Sequence, residues 1–369
     1  MDGQILEVAK RFVGEVVRPS VRDWERAGIY PRAEVRASGL TGLFAPVADG
    51  GLDLSFPEAL GVFEELGRGD AALAFSISMH NAVASAVTRG GDRELRSRWA
   101  GPLVTGDALG GFCLTEPQAG SDAAAITTLG TLREGGWTLR GRKAWVTLGG
   151  EADVFLVVAK TSEEAGHASI AMFALDATAG GVSFDDRYTK ASADFLPICE
   201  MELADAPAHL LVPPGQGLRA ALAAIDVARF DIAAISNGLH AEALDVAVRY
   251  ASQRTTFGKP ILEHQGTGWP LADVATELEA ARGLTRRAAE AIGSPGGPVA
   301  VAHAKRFGPD AALRAAIQCS ETLGAYGWLH DYPLARFIAL AKMLQVVDGT
   351  AEIQRMVIAR DLALRASER

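Results

Sequence analysis

The segment GGFCLTEPQAGSDAAA, residues 110–125, stands where helix-like sequence gives way to strand-like sequence. Its glycines leave backbone N–H groups accessible, and Thr115, Ser121 and Asp122 add polar side chains. Such a loop can direct N–H groups and hydroxyls at phosphate oxygens and at the polar edge of a bound ring. The alternative is a polar turn that only leads into a strand.

The sequence before this segment, about 105 residues, has helical patterning. In FPEALGVFEELGRG (56–69) apolar residues recur at helical spacing, and the pattern ends at Gly67 and Gly69. The stretch AALAFSISMHNAVASAV (71–87) is apolar nearly all round, which predicts a buried helix.

The sequence that follows reads first as strands and then as helices. WTLRGRKAWVTLGG, DVFLVVAKT, SIAMFALD and GVSFDD are predicted strands, and after PPGQG (213–217) the helical period returns to the end. We therefore predict an α+β protein with a helical domain (1–106), a β-sandwich or barrel domain (107–213) and a helical bundle domain (214–369).

Composition excludes several classes of function. The formal net charge of −9 over 369 residues offers no basic footprint for nucleic acid or anionic lipid. Cys113, Cys199 and Cys319 fit neither a disulfide framework nor a metal site, so three free, buried thiols in a cytoplasmic protein are expected. The acidic residues near the N-terminus do not fit a signal peptide, and we predict no membrane-spanning segment.

The segment KAWVTLGG (143–150) is a second candidate for a binding site. Simple strand alternation places Trp145 and Thr147 on one face, where an aromatic ring and a hydroxyl would suit a planar heterocycle. The alternative is that Trp145 is an aromatic residue of the hydrophobic core.

Two further segments lie in the C-terminal part. In RTTFGKPILEHQ (254–265), Arg254 is either a pyrophosphate ligand or an exposed arginine at a helix end. In VVDGTAEIQR (346–355), Asp348 and Gly349 indicate a turn and Thr350 an N-cap. Asp348 is either a general base or an ordinary turn residue.

The four segments, in this order, resemble the acyl-CoA dehydrogenase family, and the resemblance covers nearly the whole chain. LTEPQAGSD (114–122) and DGTAEIQR (348–355) are close to family signatures. The resemblance implies an N-terminal helical domain, a middle β-domain and a C-terminal four-helix bundle. It also implies an FAD cofactor bound between the β-domain and the C-terminal helices, in a homotetramer or homodimer.

The resemblance also implies the residues of the site. The flavin and its phosphates would contact Phe112, Leu114, Thr115, Gly120, Ser121, Trp145, Val146 and Thr147. The adenosine half of FAD would contact Thr350 and Glu352, just after the turn. The FAD of a neighbouring subunit would contact Arg254, Thr255, Thr256, Phe257, His264, Gln265, Glu321, Gly324 and Ala325. The thioester would contact Ser121, Asp226, Arg229 and Gly349, although Asp226 and Arg229 could equally form a structural ion pair.

By resemblance the reaction is the α,β-dehydrogenation of an acyl thioester. A carboxylate removes the α-proton while a hydride leaves the β-carbon for flavin N5, and the ribityl hydroxyl and the N–H of Asp348 stabilise the thioester oxygen. Asp348 stands where the family usually has glutamate, so its carboxylate lies about 1.5 Å closer to the backbone. Some members carry the base on the IDVARF helix, but the matching residue here is Ala228.

The sequence departs from the family pattern at two other places. Glu321 replaces a usual glutamine and Ala325 a usual glycine, which puts an acidic group close to the expected pyrophosphate. Ala339 and Leu340 stand where Arg-Asp is often found.

The substrate would be an acyl-CoA or a thioester on an acyl carrier protein, and an electron-transfer flavoprotein would be the implied acceptor. The alternatives are a flavin-dependent monooxygenase on the same fold and a weakly active flavin-binding scaffold or partner subunit.

Overall fold

The computed structural model describes residues 2–163 and 166–367, which form eleven α-helices and nine β-strands. The helices are α1 (Asp2–Phe12), α2 (Arg18–Ala27), α3 (Arg32–Ala37), α4 (Phe56–Gly69), α5 (Ala71–Gly90), α6 (Arg93–Thr105), α7 (Gly217–Gln253), α8 (Gln265–Ala291), α9 (Gly297–Leu323), α10 (Leu334–Val346) and α11 (Ala351–Ser367). The strands are β1 (Gly110–Cys113), β2 (Leu129–Arg133), β3 (Gly136–Thr147), β4 (Val154–Lys160), β5 (Ile170–Asp176), β6 (Val182–Phe184), β7 (Ile198–Val212), β8 (Thr255–Thr256) and β9 (Lys259–Pro260). A π-helical turn (Val13–Val17) joins α1 to α2.

The order of elements confirms the predicted succession of helices, strands and helices. All four predicted strands are present, as β3, β4, β5 and β6. The C-terminal segment contains five helices, α7 to α11, where the resemblance implied a bundle of four. The two predicted boundaries between the three domains stay a prediction.

The described chain separates into two compact units. The barrel unit comprises residues 22–55 and 76–228, and the helical unit comprises residues up to 21, 56–75 and from 229 onward. Each unit therefore combines pieces that are far apart in sequence, which only the tertiary fold brings together.

Five strands of the barrel unit form a closed ring. β4 pairs with β5, β5 with β7, β7 with β3 and β3 with β2, all antiparallel. β2 returns to β4 in parallel where Leu129 meets Lys160. β1 adds to β4 and β6 to β7. Of the two predicted forms, sandwich or barrel, the structure is thus a barrel.

The core of the barrel unit lies between the barrel and helices α5 and α6. Val83 and Val87 of α5 and Leu103 of α6 pack in one buried cluster with Val154, Leu156 and Met172 of β4 and β5. Each of these strands is buried along almost its whole length, in keeping with its continuous apolar sequence.

Helix α5 contains the stretch for which a buried helix was predicted. Its 20 residues are long and apolar enough to cross a membrane by length and composition alone. However, 83% of its most apolar 18-residue stretch is buried inside the protein. Since a core helix of this kind passes the same test, the feature is explained by packing.

The helical unit is held by close approach of α4 and α7. A Cβ on Gly67 would lie 2.2 Å from the carbonyl oxygen of Ile235, and one on Gly238 would lie 1.8 Å from that of Glu64. These two glycines let the helix backbones touch. A second cluster packs Phe230 and Ala233 of α7 with Ala288 of α8 and Val301 of α9.

The three cysteines are free and buried, as predicted. Burial raises the pKa of Cys199 to about 11, so its thiol stays protonated at neutral pH.

Candidate active site

Glu116 organises the 114–122 loop of the barrel unit. Its carboxylate accepts hydrogen bonds from the backbone N–H groups of Thr127 (2.6 Å) and Thr128 (3.0 Å), and from the hydroxyl of Thr127 (2.9 Å). Gln118 Nε2 (2.6 Å) and Lys143 Nζ (2.7 Å) donate to the same group. With both oxygens occupied, this carboxylate serves to fix the loop.

Lys143 ties the loop to strand β3. Its ammonium group is fully buried and also donates to the carbonyl oxygen of Leu114 at 3.1 Å, while Ala144 N donates to Thr115 O at 2.9 Å. Burial alone would raise the pKa of Glu116, but the charge and hydrogen bond of Lys143 outweigh it and bring that pKa to about 2. Glu116 is therefore ionised at neutral pH.

The predicted cofactor residues of the loop differ in exposure. Leu114 is buried, Phe112 and Thr115 are half-buried, and Gly120 and Ser121 are exposed. The loop thus presents backbone and hydroxyl groups at its 120–121 end, as a phosphate or ring-edge contact would need.

Trp145 lies at an irregularity of β3. The register between β3 and β7 shifts between Lys143 and Val146, and Trp145 has φ +57°, a left-handed conformation that is unusual for an aromatic residue. Its side chain is 63% exposed, whereas Thr147 is 7% exposed. The prediction that Trp145 and Thr147 share a face was wrong, because a bulge interrupts the alternation.

The exposure of Trp145 also rules out the alternative that it is a core aromatic. Val146, by contrast, is fully buried. A large aromatic side chain held in a strained conformation and left open to solvent is typical of a binding surface.

Asp348 lies in a turn of the helical unit between α10 and α11. Asp348 has φ +52° and Gly349 φ +97°. Arg229 Nε donates to the carbonyl oxygen of Asp348 at 2.8 Å, and Gln354 Nε2 donates to that of Gly349 at 3.2 Å. The positive φ of residue 349 favours glycine, and a Cβ there would lie 2.8 Å from Nη2 at the flexible end of the Arg229 side chain.

The Asp348 carboxyl is only partly satisfied. Its Oδ2 atom is buried and has no hydrogen-bond partner among the described residues. Burial raises the pKa of Asp348 to about 6, although the positive charges of Lys305 and Arg229 act in the opposite direction. A carboxyl with a buried, unbonded oxygen and a pKa near neutrality has the properties of a general base.

Lys305 of α9 is a member of this site that the sequence reasoning missed. Its side chain is 2% exposed, and Nζ donates to the carbonyl oxygen of Leu344, in the last turn of α10, at 2.6 Å. Burial lowers the pKa of Lys305 to about 7, against the effect of Asp348. In the sequence, Lys305 is only a lysine within the apolar pattern of α9, and this does not indicate that it lies close to Asp348.

The remaining predicted residues around the turn have these positions. Asp226 and Arg229 are half-buried on α7, and Ala228 between them is buried, so that position offers no carboxylate. Thr350 directly precedes α11. Glu352 is exposed and pairs with Arg355 at 2.8 Å.

The predicted contacts to a neighbouring cofactor lie in two exposed segments of the helical unit. Arg254, just before the β8–β9 hairpin, and Thr255, in β8, are exposed. Phe257 at the tip of the hairpin is 96% exposed, and His264 Nε2 lies 3.1 Å from Thr256 O. Gln265, Glu321, Gly324 and Ala325 are exposed as well.

Models of three protein domains match this chain in succession. They describe the N-terminal domain (residues 2–107), the middle domain (residues 111–206) and the C-terminal domain (residues 215–363) of acyl-CoA dehydrogenases.

Individual relatives agree over the full length. The acyl-CoA dehydrogenase of Bacillus subtilis (strain 168) is 34% identical over 368 residues, covering 94% of this chain and 97% of the relative. The structure of butyryl-CoA dehydrogenase from Megasphaera elsdenii superposes with a TM-score of 0.93 at 31% identity, covering 98% of each chain. A glutaryl-CoA dehydrogenase from Mycobacterium smegmatis in complex with FADH2 superposes with a TM-score of 0.91 at 26% identity, covering 98% of this chain and 94% of the other. The chain therefore belongs to the acyl-CoA dehydrogenase family.

Proposed function

We propose that this protein is an FAD-dependent dehydrogenase that introduces an α,β double bond into an acyl-CoA thioester, with Asp348 as the base. The observation that carries the proposal is the Asp348 carboxyl, which lies in a left-handed turn and whose buried Oδ2 atom has no hydrogen bond among the described residues. The similarity to a butyryl-CoA and a glutaryl-CoA dehydrogenase supports a thioester substrate.

Asp348 and the side chains that hold its turn have distinct roles in proton abstraction. Oδ2 accepts the proton from the α-carbon, and the pKa of about 6 keeps most of the carboxyl ionised at neutral pH while leaving it basic enough to act. Arg229 and Gln354 hold the carbonyl groups of the turn, so the shorter aspartate reaches the substrate from a fixed backbone.

The residues of the barrel unit fit a flavin. The solvent-open ring of Trp145 offers a flat surface, and the 114–122 loop offers a half-buried hydroxyl at Thr115 and exposed backbone at Gly120. Glu321 is exposed at the end of α9, so its carboxylate can turn to solvent away from a pyrophosphate. Bound FAD would accept the two electrons that leave the β-carbon with its hydrogen.

Exposed apolar side chains of the helical unit support assembly into homo-oligomers. Phe257 is 96% exposed, Trp328 81% and Trp269 64%. Large aromatic groups in contact with water are typical of protein interfaces. We therefore extend the proposal to a homotetramer or homodimer, with an electron-transfer flavoprotein as the external acceptor.

Anaerobic mixing tests the function directly. The FAD-loaded protein is mixed with butyryl-CoA, with glutaryl-CoA and with a branched acyl-CoA, and the absorbance of oxidised flavin is followed. At least one thioester should bleach the flavin and yield the enoyl product. Reduction by dithionite but by none of these thioesters, together with oxygen uptake when a flavin reductase is supplied, would instead indicate a monooxygenase.

A further inference from the structure

Trp145 is held by a second aromatic residue. The ring of Tyr188, in the connection between β6 and β7, lies 4.7 Å from that of Trp145, measured between centroids, with an interplanar angle of 49°. Tyr188 is anchored through its own backbone, since its N–H donates to Ile198 O at 2.8 Å. The pair therefore joins the bulge of β3 to the start of β7.

A polar chain fixes the Tyr188 ring from its other end. The hydroxyl donates to Glu200 Oε1 at 2.9 Å, and the second oxygen of Glu200 accepts a hydrogen bond from Arg142 Nε. Burial raises the pKa of Tyr188 to about 12, and the hydrogen bond to Glu200 adds to that rise. The hydroxyl is thus a permanent donor near neutral pH.

The conformation of Trp145 needs such support. A left-handed φ of +57° costs about 1–3 kcal/mol in a residue with a large side chain. Burial cannot offset this cost, because the side chain is 63% exposed. The contact of the Tyr188 ring with the Trp145 ring is the stabilising interaction that the structure offers.

We propose that Tyr188 is a positioning residue for the cofactor: it holds the Trp145 ring in place so that its open face can receive the flavin. This inference rests on the proposed function, because Trp145 is assigned to the flavin there. The family signatures at residues 114–122 and 348–355 do not include Tyr188, and its role follows from the tilted ring contact with Trp145 and the hydrogen bond to Glu200.

The variants Tyr188→Leu and Tyr188→Phe test the inference through FAD binding. The first removes the ring and the second only the hydroxyl. Apo-protein is titrated with FAD and the quenching of flavin fluorescence gives Kd. An aromatic pair of this kind corresponds to roughly a 3- to 10-fold change in affinity. We expect Kd to rise toward the upper end for Tyr188→Leu and less for Tyr188→Phe, with an altered flavin absorption envelope.

Trp137→Leu is the matched control. Trp137 pairs with Phe173 at 5.3 Å and lies at the opposite end of β3. It should leave Kd and the flavin spectrum unchanged, even if it lowers thermal stability.

Two results are decisive and distinct. If the wild type binds FAD and oxidises thioesters but Tyr188→Leu has the same Kd and spectrum, the positioning role is overturned and the proposed function stands. If the wild-type protein does not bind FAD at all, the proposed function itself is overturned.

Discussion

Two carboxylates, the buried Glu116 of the barrel unit and the half-buried Asp348 of the helical unit, have opposite environments. Glu116 receives hydrogen bonds from five donors, including Lys143 at 2.7 Å, and its pKa falls to about 2. Asp348 also has a buried lysine nearby, yet one of its oxygens has no hydrogen bond among the described residues and its pKa rises to about 6.

The difference shows what separates a structural acid from a candidate base. Lys143 donates directly to the Glu116 carboxylate, whereas Lys305 donates to a backbone carbonyl and acts on Asp348 only through its charge. A carboxylate with every lone pair occupied stabilises a loop, while one with an open oxygen can accept a proton. Substitutions in the two environments should therefore have different consequences.

The largest effect is expected for Asp348→Asn. The amide has the same shape but cannot accept the α-proton, so the rate of flavin reduction by a thioester should fall about 10²- to 10⁴-fold with FAD still bound. Stopped-flow absorbance under anaerobic conditions measures this rate. Glu279→Gln, an exposed carboxylate on α8 of the same unit, is the control and should react as the wild type does. An unchanged rate in Asp348→Asn would exclude Asp348 as the base.

The next effect is on stability, for Lys143→Met. Removing the lysine leaves the Glu116 charge buried, and breaking a buried pair typically costs about 3–5 kcal/mol. Chemical denaturation should therefore show a strong loss in the free energy of unfolding, part of which Glu116→Leu in the same chain should restore. The control is Arg140→Met, on the same strand as Lys143, which breaks the exposed ion pair of Arg140 with Asp205 of β7. This variant should leave the denaturation midpoint nearly unchanged. An equal loss in the free energy of unfolding for Lys143→Met and Arg140→Met would contradict this difference between the buried and the exposed pair.

The smallest effect is a shift in pH dependence, for Lys305→Met. The base works only when ionised, so kcat/KM should rise with pH through about 6 in the wild type. Lys305 and Arg229 lower the pKa of Asp348, while Asp310, paired with Arg306, faces Lys305. Losing the Lys305 charge should raise the pKa of Asp348 and move this acidic limb upward by about one pH unit.

Lys342→Met is the control for that shift. Lys342 lies on α10 but is exposed and bonds Gln345, so its loss should not move the profile. A Lys305→Met profile that coincides with the wild-type profile would show that the buried ammonium does not act on the base.

The sequence was sufficient for features that depend on neighbouring residues. The turn at Asp348 and Gly349, the strand β4 and the helix α5 follow from local patterns of apolar, glycine and polar residues. The order of these segments also identified the family, because the motifs around residues 114–122 and 348–355 are short and specific.

Features that depend on packing between distant segments could not be predicted. The sequence does not reveal that Lys143 meets a carboxylate, because its partner Glu116 belongs to a separate loop that only the fold brings to β3. The bulge at Trp145 depends on the register of β7, and the contact with Tyr188 depends on the connection before it. Lys305 reaches the end of α10 only through the packing of α9 against that helix.

The burial of α5 has a consequence for the synthesis of this chain. The helix leaves the ribosome well before β4 and β5, the strands that cover it, since about 90 residues separate its end from the end of β5. At bacterial or eukaryotic translation speeds this amounts to roughly 5–20 s during which a long apolar segment has no partner. We expect the nascent chain to depend on chaperones during that interval, and ribosome-bound chains arrested between residues 100 and 170 should bind them more strongly than chains arrested after residue 230.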